Sequence, residues 1–162
     1  VKPSLPTYSL LLDGFRNSKD IDTMVEIWKL MKSENIKPSI LVHNYMIEGF
    51  ANAQRIEEMN KQFQSLKQDG ITPDLYTYNS MLLGYSLAGQ ADAMLDVFRA
   101  LKAEGFQPDH NTYAPILRYY SEQGDLEKLI FYQQLMESEH ISHTPATLNP
   151  LLVIHAKKGN LT

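Results

Sequence analysis

The sequence predicts an all-α fold, a right-handed α-solenoid of stacked antiparallel helix pairs, and two observations carry that prediction. The chain returns to itself with a fixed stride: Pro3, Pro38, Pro73 and Pro108 stand 35 residues apart, as do Gly14, Gly49 and Gly84, and Met24, Met59 and Met94. Recurrence of three unlike residue types at one period marks a repeat array. Within each period, apolar residues also fall at helical spacing in two runs separated by a short polar break. Two helices cannot bury such broad apolar faces alone, so neighbouring units must stack, leaving a concave inner surface.

With four whole periods, the units run 5–39, 40–74, 75–109 and 110–144, flanked by partial units 1–4 and 145–162. Both ends cut through a repeat, so the sequence reads as a section of one longer continuous array. In the first unit Tyr8, Leu11, Leu12 and Phe15 mark a first helix, and Ile21, Met24, Ile27, Trp28 and Met31 a second. The second unit repeats this with His43, Met46, Ile47 and Phe50, then Ile56, Met59, Phe63 and Leu66. In the third, Tyr78, Met81, Leu82 and Tyr85 precede the break at Ala88-Gly89-Gln90, after which Ala91, Met94, Val97, Phe98 and Leu101 restart the pattern. Gly105 can take the left-handed conformation that ends a helix, and Pro108 blocks continuation. The fourth has Tyr113, Ile116, Leu117 and Tyr120, then Leu126, Leu129, Tyr132 and Met136; Leu148, Leu151, Leu152 and His155 open the last half unit. Pro115 and Pro150 are expected in first turns, where proline is tolerated, placing helix starts near Asn111 or Thr112 and near Ala146 or Thr147.

Composition narrows the function classes. At 162 residues, 43% hydrophobic and 21% charged, the chain is an ordinary globular composition. No apolar run approaches the roughly 18–20 residues of a membrane span, so no membrane partner is expected. With no cysteine there is no disulfide framework, thiolate metal site or thiol nucleophile. Carboxylates such as Glu57 and Glu58 lie on helical exteriors without a paired arrangement, a nucleophile elbow or a phosphate loop, so the segment is expected not to be an enzyme and to use no cofactor. His140 and His143 are three apart but have no third ligand in view, and no metal site is expected. The net charge of −4 argues against holding nucleic acid by generic phosphate contacts.

Tyr-Thr-Tyr-Asn-Ser-Met-Leu-Leu-Gly-Tyr at 76–85, Gly89 between helices, Phe98 in the second helix and Gly105-Phe106-Gln107-Pro108-Asp109 at the close resemble the pentatricopeptide repeat. The resemblance covers essentially the whole chain. It implies a protein that binds single-stranded RNA one base per unit, in organellar RNA processing, stability or translation, with the mitochondrion favoured over the plastid. It implies that each base is read by the residue after the first-helix tyrosine and by the last residue of the unit. Those pairs are Ser9 with Ser39, Asn44 with Asp74, Asn79 with Asp109 and Ala114 with Thr144, while Asn149 has its partner beyond the cut. An asparagine with a closing aspartate favours uracil in the family's code, so units two and three imply adjacent uridines.

The residues themselves fit such a role. Tyr76, Asn79, Leu83 and Ser86 share one face of the first helix toward the inner surface. An asparagine there offers a donor and an acceptor to a base edge, and an aspartate can accept or orient its neighbour. Leu41 and Tyr76, one turn before the asparagines, offer surfaces on which bases could rest, with Pro6, Asn111 and Ala146 at the equivalent places. The competing structural reading is that Asp74 and Asp109 simply cap helices. The inner stripes carry Asp13, Arg16, Glu48 and Arg118, two acids against two bases. The places where the family puts a phosphate-binding lysine hold Asn17, Asn52, Leu87, Glu122 and Lys157, so only Lys157 fits. This neutrality leaves room for a second class of function, a scaffold within an organellar ribonucleoprotein or polymerase assembly that meets other proteins.

Overall fold

The structure, a computed structural model, describes residues 3–159, with the side chains of Lys157 and Lys158 outside that description. Among the described residues the regular structure is entirely helical, in the order α1 (Leu5–Asn17), α2 (Ile21–Ser33), α3 (Ile40–Asn52), α4 (Ile56–Gln68), α5 (Leu75–Leu87), α6 (Ala91–Ala103), α7 (His110–Gln123), α8 (Leu126–Ser138) and α9 (Pro145–Gly159). The odd-numbered helices start at 5, 40, 75, 110 and 145, on the sequence period.

The chain divides into two compact parts, residues 1–84 and 85–162. In the first, α1 packs against α2 and α3, and α3 against α4; in the second, α7 packs against α6, α8 and α9. First helix therefore stacks on first helix, as α1 on α3 and α7 on α9, with the second helices outside them.

The recurring glycine and methionine explain each other. Met24, Met59 and Met94 are all fully buried. A Cβ on Gly49 would come within 3.0 Å of Met24 Sδ, and one on Gly84 would overlap Met59 Sδ and stand 3.0 Å from Ala51 Cβ. Each glycine is thus the flat spot on a first helix against which the methionine of the preceding second helix lies. Burying a flexible thioether there fills the gap without demanding one rotamer.

Turn geometry is equally periodic. Left-handed backbone occurs at Lys19, Gln54, Gly89 and Gly124 between the helices of a pair, and at Asn35, Gly70, Gly105 and His140 between pairs. Half of these positions lack glycine, so the period, not the glycine, reveals them.

The prolines depart from expectation. Helix α7 begins at His110, behind the N-cap Asp109, and α9 at Pro145, one to two residues earlier than the proline rule suggested. Pro115 and Pro150 consequently lie inside their helices, one turn beyond the amides that lack partners anyway. The missing N–H frees the carbonyl of Asn111, an exposed residue, so water can satisfy it. The carbonyls of Pro115 and Pro150 accept hydrogen bonds from the Ser86 and Ser121 hydroxyls at 2.8 and 2.7 Å. Ser86, expected on the open inner stripe, is buried for this purpose.

Candidate functional site

The best-defined polar site lies in the first part of the chain, where α3 meets the start of α5. Asp74 closes its unit just before α5, and its Oδ1 accepts the Thr77 N–H at 2.9 Å. In return the Asp74 N–H donates to Thr77 Oγ1 at 3.2 Å. This reciprocal cap supplies partners to amides that the helix cannot pair internally. On α3, Asn44 Nδ2 donates to Asp74 Oδ1 at 3.2 Å, and Asn44 Oδ1 accepts from the Thr77 hydroxyl at 2.7 Å. The two sequence-paired residues are therefore bonded to each other, and capping and pairing fall on the same aspartate.

Asn44 is only 4% exposed, because the start of α5 covers it. The residues one turn earlier on the two helices are open: Leu41 is 47% and Tyr76 45% exposed. Tyr76 is anchored by its far end. Its phenol donates to Glu48 Oε2, to which Arg16 also donates at 2.6 Å, and Arg16 is held in turn by Asp13 at 2.5 Å. The Arg16 guanidinium also lies 4.8 Å from the Tyr45 ring centroid. Burial, followed by the bond to Glu48, pushes the Tyr76 phenol well above its usual range, so it stays protonated and donating. These side chains join α1, α3 and α5 into one network in which the single cation is already matched by two carboxylates.

The other sequence-paired positions are arranged differently. Ser9 turns back to donate to the Leu5 carbonyl at 2.9 Å, and Ser39 accepts from the Val42 N–H at 3.4 Å as the cap of α3. Ala114 and Thr144 are part-buried, and the Thr144 Oγ1 is enclosed without a protein partner. Asp109 caps α7, accepting the Thr112 N–H at 2.9 Å, while Asn79 is part-buried on α5. Pro6, Asn111, Ala146 and Asn149 are exposed. The Lys157 side chain, the one expected phosphate contact, lies outside the described residues. Arg118, on the inner stripe, is exposed and pairs with Glu122 at 2.8 Å.

Sequence reasoning missed three features. Thr77 gave a signal in its period, since Thr7, Thr77, Thr112 and Thr147 share one place in the unit. A second device recurs on the outer helices: Lys32, Lys67 and Lys102 lie over Trp28, Phe63 and Phe98, with Nζ 5.6, 4.6 and 5.5 Å from the ring centroids. The third is the set of partners of His43, a core position in the sequence pattern and fully buried here, whose Nε2 and Nδ1 stand 3.0 Å from Asp69 Oδ2 and 2.9 Å from Gln62 Nε2. It occupies the place of Tyr8, which donates to Glu34 at 2.7 Å, and Tyr113, which donates to Glu139 at 2.6 Å. Among the described residues no three His, Asp or Glu side chains are grouped so as to hold a metal ion, and no helix is long and apolar enough to cross a membrane.

Sequence models of two repeat families match the chain. The "Pentacotripeptide-repeat region of PRORP" matches residues 47–162, and the "Pentatricopeptide repeat domain" matches residues 1–53. The chain belongs to the pentatricopeptide repeat family. Among solved structures it is similar to the pentatricopeptide repeat protein PPR10 in complex with an 18-nt psaJ RNA element, with a TM-score of 0.87, 17% identity, and coverage of 95% of this chain and 23% of that one. PPR10 from maize gives a TM-score of 0.75 at 24% identity over 98% of this chain and 23% of PPR10. The pentatricopeptide domain of Arabidopsis thaliana protein-only RNase P 1, in complex with tRNA, gives 0.75 at 17% identity over 94% of this chain and 80% of that domain. The chain therefore spans about a quarter of the length of PPR10. No curated protein sequence matches significantly. At these identities the structural likeness establishes the fold, stacked antiparallel helix pairs of the pentatricopeptide type.

Proposed function

We propose that the chain binds single-stranded RNA, one base per unit, and that Asn44 together with Asp74 reads a uridine lying between Leu41 and Tyr76. The observation that carries this reading is the direct bond between Asn44 and Asp74 beside two exposed apolar surfaces on consecutive first helices. An amide oriented by a carboxylate can meet a base edge with one donor and one acceptor, and a leucine and a tyrosine ring can hold the base's faces. Family membership and the likeness to repeat proteins whose structures contain RNA support it. By position in the sequence, Asn79 and Asp109 extend the reading to an adjacent uridine. The chain's part is to hold and select RNA rather than to cut it, in organellar RNA processing, stability or translation.

A second reading is favoured by one observation: Arg16 is already taken up by Asp13 and Glu48, which leaves little cation for phosphate at that part of the inner surface. The chain would then be a scaffold meeting protein partners within a larger assembly. Titrating the chain with short single-stranded RNAs separates the two. The RNA reading expects tighter binding to a strand containing adjacent uridines than to its all-adenosine counterpart; equal or absent binding to both favours the scaffold.

A further inference from the structure

We infer that Thr77 is a positioning residue for base selection, fixing the Asn44 amide so that it presents its donor and acceptor in one order only. This rests on the RNA-binding reading above and names a third side chain for the site. Asp74 Oδ1 has three groups within reach: the Thr77 N–H at 2.9 Å, Asn44 Nδ2 at 3.2 Å and the Thr77 hydroxyl at 2.8 Å. The hydroxyl carries one proton, and Asn44 Oδ1 lies nearer, at 2.7 Å. Giving that proton to Asn44 leaves Thr77 Oγ1 free to accept the Asp74 N–H at 3.2 Å. The result is a closed ring in which the amide nitrogen must face the carboxylate and the amide oxygen must face the hydroxyl. A flipped amide would set oxygen against oxygen at Asp74.

The orientation matters because uracil and cytosine differ by this inversion. Uracil offers a donor at N3 and an acceptor at O4, whereas cytosine offers an acceptor at N3 and a donor at N4. An amide held one way suits one of them, and an amide free to flip suits both. The same structure contains two contrasts. Where the equivalent residue is Val42, without a hydroxyl, Ser9 turns to its own helix at Leu5. Where the reading residue is Ala114, without an amide, the Thr147 hydroxyl turns back to the Thr144 carbonyl at 3.0 Å. At Thr77, where an amide is there to receive it, the hydroxyl reaches across helices.

The test uses the whole chain and three variants, Thr77→Val, Thr77→Ala and Thr77→Ser, titrated with single strands that carry uridine or cytidine opposite the unit. Thr77→Val and Thr77→Ala are expected to lower the uridine-to-cytidine affinity ratio about tenfold, the worth of one hydrogen bond, while Thr77→Ser retains it. Loss of the cap alone would weaken both strands equally and leave the ratio unchanged. Thr77→Ala demands no new space and covers the case in which valine does not fold. In parallel, the Asn44 side-chain amide protons, followed by NMR without RNA, are expected to exchange faster in the valine and alanine variants. A wild-type ratio retained by both variants overturns the role of Thr77. Failure of the wild-type chain to bind either strand overturns the RNA reading, and the NMR result then shows whether the lock itself exists.

Discussion

At the scale of single residues, a polar side chain inside a helical stack is informative through what it bonds. His43 has no solvent contact, and burial, the largest influence, holds its pKa below the ordinary value of 6.5. Asp69 opposes that effect and Lys32 adds to it, while Gln62 at Nδ1 and Trp28, edge-on at 5.2 Å, complete the surroundings. The folded state therefore takes up less proton than the unfolded chain once the pH falls below about 6.5, and stability is lost from there downward. Denaturant unfolding at pH 7.5 and 5.5 should show a fall in midpoint that His43→Tyr removes; an unchanged pH response in that variant would mean that His43 titrates as it does in the unfolded chain. Part of this was legible beforehand. His43 departs from a run of tyrosines, and Gln62, in the place of Ile27, Val97 and Tyr132, carries the matching signal. Asn44 and Asp74 were legible as a pair through the resemblance to the pentatricopeptide repeat, which couples those two positions; the part of Thr77 was not, because sequence periodicity does not tell which of two adjacent helices a hydroxyl will address.

At the scale of helices, the stride foretold the elements well because local pattern and tertiary packing agree along every helix. Glycine in a helix interior is normally a cost of about 1 kcal/mol relative to alanine. Gly84 repays it by admitting Met59, whereas a Cβ on Gly14 would meet nothing within 4 Å. Gly84→Ala should consequently destabilise the chain by about 1–3 kcal/mol through overpacking, and Gly14→Ala should stabilise it by roughly 0.5–1 kcal/mol through helix propensity. Thermal unfolding of the two variants checks the contrast, and a common sign for both would remove the packing explanation. Two helix starts, those before Pro115 and Pro150, fall earlier than expected. The rule that proline prefers a first turn is sound, but Asp109 with Thr112 caps α7 strongly enough to carry the helix through the proline, and an exposed Asn111 makes the lost bond tolerable.

At the scale of the molecule, fold and function were legible to different depths. Four units in register, without an insertion, leave little choice but stacked helix pairs, and the family match agrees. The charge of the chain, by contrast, was readable as a balance along the inner stripes but not as a set of pairings. Its distribution shows how cations are taken up: beside the site Arg16 is shared between Asp13 and Glu48, and elsewhere in the same part of the chain Arg55 is shared between Glu58 and Asp22. Binding by such a surface has to come from base contacts more than from counterion release, so its salt dependence should be shallow. That places the weight of the account on Asn44, whose amide is bonded to Asp74 and Thr77. The most direct measurement is the base preference of Asn44→Thr, which with Asp74 makes a threonine–aspartate pair, the pair that the resemblance to pentatricopeptide repeats associates with guanine. Titrated against strands that differ only in the base facing that unit, the variant is predicted to shift preference from uracil toward guanine by about tenfold. Unchanged strength and preference in the variant would contradict the assignment of Asn44 as the residue that reads the base.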